Sequence, residues 1–220
     1  MTITSLKTTA DEYTKILKIG FSDGTFLNLK NFYLEYYNSQ KSRESIHSWD
    51  DIALMEPGAE INTGDEEAFR FAASCYKTER TGIKLIARAE QTAPGLTRKL
   101  QARGHDRSCI SAVMEWFTQT DLVNDERYAQ RWIMSKITRK SGKICGPRYL
   151  YTVLSGKGIS RDIIKNTLNK ILDEETEYVL LKSFMEKMRK GKSAKNYSLK
   201  SYLRSEGFSS AVISRYLEET

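Results

Sequence analysis

The chain has 220 residues, 40% of them hydrophobic and 29% charged, which is the length and composition of a globular protein with a buried core. No apolar run approaches the roughly 18 residues of a membrane helix, and the start, MTITSLKTTADEY, lacks the basic-then-apolar pattern of a secretory signal, so a cytoplasmic protein is expected. The net charge of +7 is uneven: residues 1–64 hold 6 basic and 9 acidic side chains, the remainder 29 and 19.

In chain order, KILKIGFSDGTFLNL (Lys15 to Leu29) predicts a β-hairpin, with Asp23-Gly24 as the turn dipeptide between partly alternating apolar runs. NFYLEYY reads equally as strand or helix. SWDDIALMEPGAEI holds one or two helical turns, ending at Pro57-Gly58. This small, mixed segment is expected to span 1–64.

Beyond Asp65 the pattern changes to helices punctuated by glycine, and three segments align on a Gly that closes a short helix. Leu96, Leu150 and Leu199 correspond, as do Leu100, Leu154 and Leu203, then Gly104, Gly158 and Gly207, then Ile110, Ile164 and Ile213. Each unit reads as three helices, giving repeats over 65–123, 124–173 and 174–220. The first opens with a long helix over about Glu66 to Gln91, bent at Gly82, and Pro94 starts its short helix. In the second, Asn124 is the N-cap of a helix to about Thr138, with Asp125 and Glu126 offsetting its dipole. Ala129, Trp132, Ile133 and Ile137 form its apolar face. Pro147 starts the short helix that ends at Gly156 and Gly158, and Ser160 caps the third. The last repeat ends in a helix capped by Ser209. Units of this size cannot bury their apolar faces alone, so stacking is expected: a mainly α fold, an elongated curved array of tandem three-helix repeats behind a small N-terminal segment containing a β-hairpin.

The chemistry-bearing motifs have sufficient structural explanations. Asp121, Asp125 and Glu126 could serve a metal-dependent nuclease, but they sit where a helix start wants carboxylates. LSGKGIS (Leu154 to Ser160) lacks the spacing of a phosphate loop and ends a helix rather than opening one. Cys75, Cys109 and Cys145 are far apart, no C-x-x-C pair exists, and only His47 and His105 could assist; no metal and no cofactor is expected. Trp132 belongs to the core stripe, Trp116 covers a repeat junction, and Tyr149 and Tyr151 flank Leu150 as exposed aromatic contacts. No catalytic constellation emerges, and a non-enzyme is expected.

Charge is the stronger signal. From Arg127 to Lys170 there are 11 basic residues against one acid, and from Lys182 to Arg204 there are 8 against one. Such one-sided blocks suit an anionic partner, nucleic acid or an acidic protein surface. Arg139, Lys140, Lys143 and Arg148 cluster about the loop between the first two helices of the middle repeat, with Lys157 and Arg161 at the next turn.

Two stretches in tandem, DLVNDERYAQRWI from Asp121 and GPRYLYTVLSGKGI from Gly146, resemble motifs of the RecX family, bacterial regulators of the RecA recombinase: acid-acid-x-aromatic-Ala, then Gly-x-x-x-Leu…Leu-x-x-x-Gly-Ile. The resemblance covers roughly residues 65–220. It departs at ERTGIKLIARAEQTAPG, which lengthens the first repeat, and at the basic loop RKGKSAKN in the third. It implies a regulator that binds along the helical groove of the RecA–DNA filament, spans neighbouring protomers, and depresses strand exchange, ATP hydrolysis and coprotease activity, in DNA repair and the SOS response. It also implies that Asp125, Tyr128, Ala129, Gly146, Leu150, Leu154 and Gly158 are architectural. Arg139, Lys140, Lys143, Arg148, Lys157 and Arg161 then supply the contact surface of a monomer. The competing reading is a direct, non-specific DNA-binding protein that uses the same basic face; weak DNA binding suits both.

Overall fold

The structure, a computed structural model, describes residues 1–9, 16–40, 49–138, 146–190 and 198–219. Three strands come first, β1 (Ile3–Thr9), β2 (Ile16–Phe21) and β3 (Phe26–Lys30), followed by α1 (Asn31–Gln40) and α2 (Trp49–Ala53). Then come α3 (Thr63–Arg88), α4 (Ala93–Gln101), α5 (Arg107–Gln119), α6 (Asp125–Ile137), α7 (Pro147–Gly156) and α8 (Arg161–Ile171). The last are α9 (Glu174–Lys190), α10 (Leu199–Ser205) and α11 (Ser210–Glu218). The chain forms two compact units, one of Met1–Glu90 with Leu96–Val123, the other of Gln91–Gly95 with Asn124–Thr220.

In the first unit the strands form an antiparallel sheet in the order β1-β2-β3, so the expected hairpin is two-thirds of a sheet. Asp23 shapes its turn by accepting from the Thr25 N–H at 2.9 Å, and Gly24 takes φ +80°, a conformation that costs glycine little. β1 escaped the sequence reading because ITSLKTT has little apolar alternation, and its backbone is satisfied by β2, from Ile3 opposite Phe21 to Thr9 opposite Ile16. The ambiguous NFYLEYY is α1, which buries Tyr33, Leu34 and Tyr37, a spacing that one helix face satisfies.

Helix α3 runs uninterrupted past Gly82. A Cβ at that position would lie 2.6 Å from the Phe117 ring, so the glycine there permits close packing against α5. Cys75 and Cys109 are buried thiols in this core; a hydrogen bond between them draws Cys109 down to about 7 and pushes Cys75 up. Lys30 and Glu79 form a buried ion pair at 2.7 Å. The Tyr33 hydroxyl donates to the same carboxylate at 2.9 Å, and the Lys30 ammonium lies 4.0 Å from the centroid of Trp116. A second partner for each charge is what makes burial of such a pair tolerable.

The second unit packs α6 to α11 around Ala129, Ile133, Leu150, Leu154, Ile164, Leu181, Phe184, Leu203 and Ile213. Asn124, Ser160 and Ser209 cap α6, α8 and α11, each accepting from a backbone N–H in the first turn. Leu199 departs from its buried counterparts Leu96 and Leu150, being 36% exposed.

The three aligned glycines share one geometry. Gly104, Gly158 and Gly207 have φ of +76°, +89° and +89°. Each donates to the carbonyl three residues back, at 2.9, 2.9 and 3.0 Å, while the next residue donates to the buried leucine carbonyl at 3.3, 3.3 and 3.2 Å. This double closure satisfies carbonyls that a helix end otherwise orphans, and it requires a left-handed residue where glycine carries no Cβ penalty.

Candidate interaction surface

The basic surface is built on α7 and α8 of the second unit. Gly146 is the N-cap of α7 and Pro147 stands at its start, where a missing N–H costs nothing. Arg148 follows in the first turn. Its backbone N–H donates to the Glu206 carbonyl at 2.9 Å, and its guanidinium Nη1 donates to the Ser205 carbonyl at 3.0 Å. The turn closing α10 is therefore held against the start of α7.

That approach requires both glycines. A Cβ on Gly146 would lie 3.0 Å from the Glu206 carbonyl oxygen, and one on Gly207 would lie 3.0 Å from the Arg148 nitrogen. A related contact occurs one repeat earlier, where the Thr92 hydroxyl donates to the Lys157 carbonyl at 3.2 Å. Lys157 and Glu206 each precede the turn glycine of their repeat. In both cases the acceptor is thus the same position of the following repeat.

Lys157 caps the C-terminal end of α7, where a cation complements the helix dipole, and its ammonium sits 5.6 Å from the centroid of Tyr128. Arg161 is exposed in the first turn of α8. A cation at a helix start is opposed by the dipole, so local helix energetics give no reason for it. Arg148 and Lys157 are nine residues apart and stand at opposite ends of α7, ~13 Å at 1.5 Å per residue. Lys157 and Arg161 are near neighbours about one turn. Arg139, Lys140 and Lys143 lie outside the described residues.

Of the residues expected to be architectural, Ala129, Leu150 and Leu154 are fully buried, Gly158 is the left-handed helix stop, and Tyr128 is half-buried beneath Lys157. Asp125 does more than offset the dipole of its own helix. Its carboxylate accepts from the Ala93 N–H at 2.7 Å and so caps the start of α4 from a distant part of the chain. Burial raises its pKa above the ordinary 3.8, opposed by that hydrogen bond.

Other expectations change. Tyr149 and Tyr151 are half-buried against the core rather than exposed, because the short α7 leaves leucines alone too narrow to cover that side. Trp116 packs beside Phe32 at 4.8 Å between ring centroids and under Lys30, on the N-terminal segment. In the second basic block, Lys182 is engaged by the Tyr178 ring at 4.3 Å and by Glu219 at 3.4 Å. Sequence reasoning also passed over a basic stripe on α3, Arg70, Lys77, Arg80 and Lys84. Block counts of charge hid it because Asp65, Glu66 and Glu67 immediately precede it and Glu79 interrupts it, whereas the helical offsets of 7, 10 and 14 from Arg70 would have revealed it.

Among the described residues no helix is long and apolar enough to cross a membrane, and no group of three or more His, Cys, Asp or Glu side chains could hold a metal ion.

No family model matches the chain. It is similar to the regulatory protein RecX of Treponema pallidum (strain Nichols), 25% identical over 147 residues that span 67% of this chain and 87% of the relative. It is likewise similar to RecX of Clostridium botulinum (strain Alaska E43), 26% identical over 204 residues, 84% of this chain and 93% of the relative. Its fold is that of a crystal structure of regulatory protein RecX, with a TM-score of 0.65, 16% identity and 97% of each chain covered. RecX from Lactobacillus salivarius matches with a TM-score of 0.55 and 21% identity, over 66% of this chain and 96% of that one. The chain thus has the fold of these solved RecX structures and is similar over most of its length to the curated RecX regulatory proteins.

Proposed function

We propose that this protein binds the RecA–DNA filament and lowers its recombinase, ATPase and coprotease activities in DNA repair and the SOS response. The observation that carries this reading is the pair of cationic positions at the two ends of α7, Arg148 and Lys157 with Arg161, on repeats locked by turn-to-helix hydrogen bonds. A surface whose charges are fixed relative to one another discriminates between conformations of an ordered partner, and it shifts the partner's equilibrium by its differential affinity for them. Binding, rather than chemistry, is the activity this arrangement supports. Arg139, Lys140 and Lys143 belong to the same surface in this proposal.

The test is DNA-dependent ATP hydrolysis by the cognate RecA, titrated with this protein at near-physiological salt and with DNA in excess. Inhibition at amounts far below the DNA-binding capacity supports a target on the filament. Inhibition relieved simply by added DNA favours direct DNA binding through the same face. The variant Lys140→Glu/Lys143→Glu/Arg148→Glu should lose inhibition while keeping its helicity, and unchanged inhibition by it would end the proposal.

A further inference from the structure

A groove of about 700 Å³ lies in the first unit, between β3 and α3. One wall carries Arg70, Lys77, Arg80 and Lys84, and among the described residues none that lines the groove is acidic. Arg70 is partly neutralised by Glu66 at 2.9 Å. Lys77, Arg80 and Lys84 are exposed and have no ion-pair partner among the described residues. The carboxylates of α3 that could have balanced them are engaged elsewhere, Glu79 by Lys30 and Tyr33 and Glu67 by the Tyr37 hydroxyl. An ordinary solvated helix face intersperses the two signs. This face does not.

At the mouth stands Phe26, a large apolar ring that is 59% exposed. It lies across Gly20, where a Cβ would come within 2.8 Å of the ring, and Lys18 sits 5.1 Å from its centroid. The glycine beneath it lets the ring lie on the sheet, and the half-buried Tyr76 adds a second aromatic lining residue. From Arg70 to Lys84 the cationic stripe runs ~21 Å. Cations along the α3 wall and an exposed aromatic ring on the β3 side are the two elements that hold an unpaired nucleic-acid strand, one for its phosphates and one for its bases. A duplex keeps its bases stacked inside and offers none to Phe26. An acidic polypeptide would use the cations and leave the exposed ring without a role.

We propose that the β3–α3 groove is a binding site for a single-stranded nucleic-acid segment, with Lys77, Arg80 and Lys84 on its backbone and Phe26 stacked on a base. The site uses none of the residues on which the filament proposal rests, and either can fail without the other.

The experiment is fluorescence anisotropy of a labelled oligo(dT) with the full chain across a salt series. It is run in the unaltered protein and in the Arg148→Glu/Lys157→Glu background, which removes the contribution of the α7 surface. In both backgrounds Lys77→Ala/Arg80→Ala/Lys84→Ala should weaken binding at least tenfold and lower the slope of log affinity against log salt by about 2. Phe26→Leu, which keeps Gly20 covered, should weaken it by about tenfold, and Phe26→Trp should restore it. Unchanged affinity in the triple variant would overturn the site. Duplex DNA binding as tightly as oligo(dT), or indifference to Phe26→Leu together with full displacement by polyglutamate, would overturn the assignment of a single strand as its occupant.

Discussion

Asp125 illustrates how one side chain serves a role its local sequence does not announce. Read along the chain, it offsets the dipole of α6; in space, it caps α4 through Ala93. Asp125→Ala should cost about 1 kcal/mol in urea unfolding, the usual value of a lost cap, and Asp125→Asn, which keeps an acceptor, far less. The pH dependence has a definite sign. Burial raises the folded-state pKa above 3.8, so the folded state holds the proton more tightly than the unfolded chain does. The stabilisation from this group relative to Asn is fully present below pH 3.8 and is lost as pH rises through the folded value. Unfolding midpoints of the two proteins measured from pH 3.5 upward should therefore diverge most at the acid end. The buried Lys30–Glu79 pair permits a second test. Glu79→Gln leaves the Lys30 ammonium without its counter-charge and should destabilise by about 3–5 kcal/mol in chemical denaturation, whereas Lys30→Met/Glu79→Leu should recover much of the loss.

At the level of elements, much of the architecture was legible because it is local. The caps at Asn124, Ser160 and Ser209, the start at Pro147, and the stops at Gly104, Gly158 and Gly207 each depend on residues within one helical turn. The alignment of the glycines carried more information than any single helix, because one closure geometry recurs in three places. Substitution should separate its two causes. At Gly104 a Cβ meets nothing within 4 Å, so Gly104→Ala bears only the left-handed backbone and should cost about 1 kcal/mol. At Gly207 the same backbone condition is joined by a Cβ 3.0 Å from the Arg148 nitrogen. Gly207→Ala should therefore destabilise distinctly more, by about 2–3 kcal/mol in the same assay.

For the whole molecule, the charge asymmetry sets how function should respond to solution conditions. If cationic residues on α7 and α8 engage the filament, the amount of protein needed for half-inhibition of RecA ATP hydrolysis should rise several-fold between 50 and 200 mM salt, because screening shortens the reach of exposed charges. The stability of the buried Lys30–Glu79 pair should change little over that range. What the sequence by itself determined was whatever repeats or lies within a turn: the helical class, the glycine-closed repeats, the caps, the β2–β3 hairpin and the basic bias after residue 64. Only the tertiary structure decided which partners lie far apart in the chain. β1 became a strand because β2 satisfied its backbone. Asp125 became a cap for α4, Trp116 a platform for Lys30, and Gly146 and Gly207 a paired close approach. The α3 cations became one wall of a groove because their neighbouring carboxylates turned to other partners. Patterns encode faces, but a face acquires its role from what packs against it.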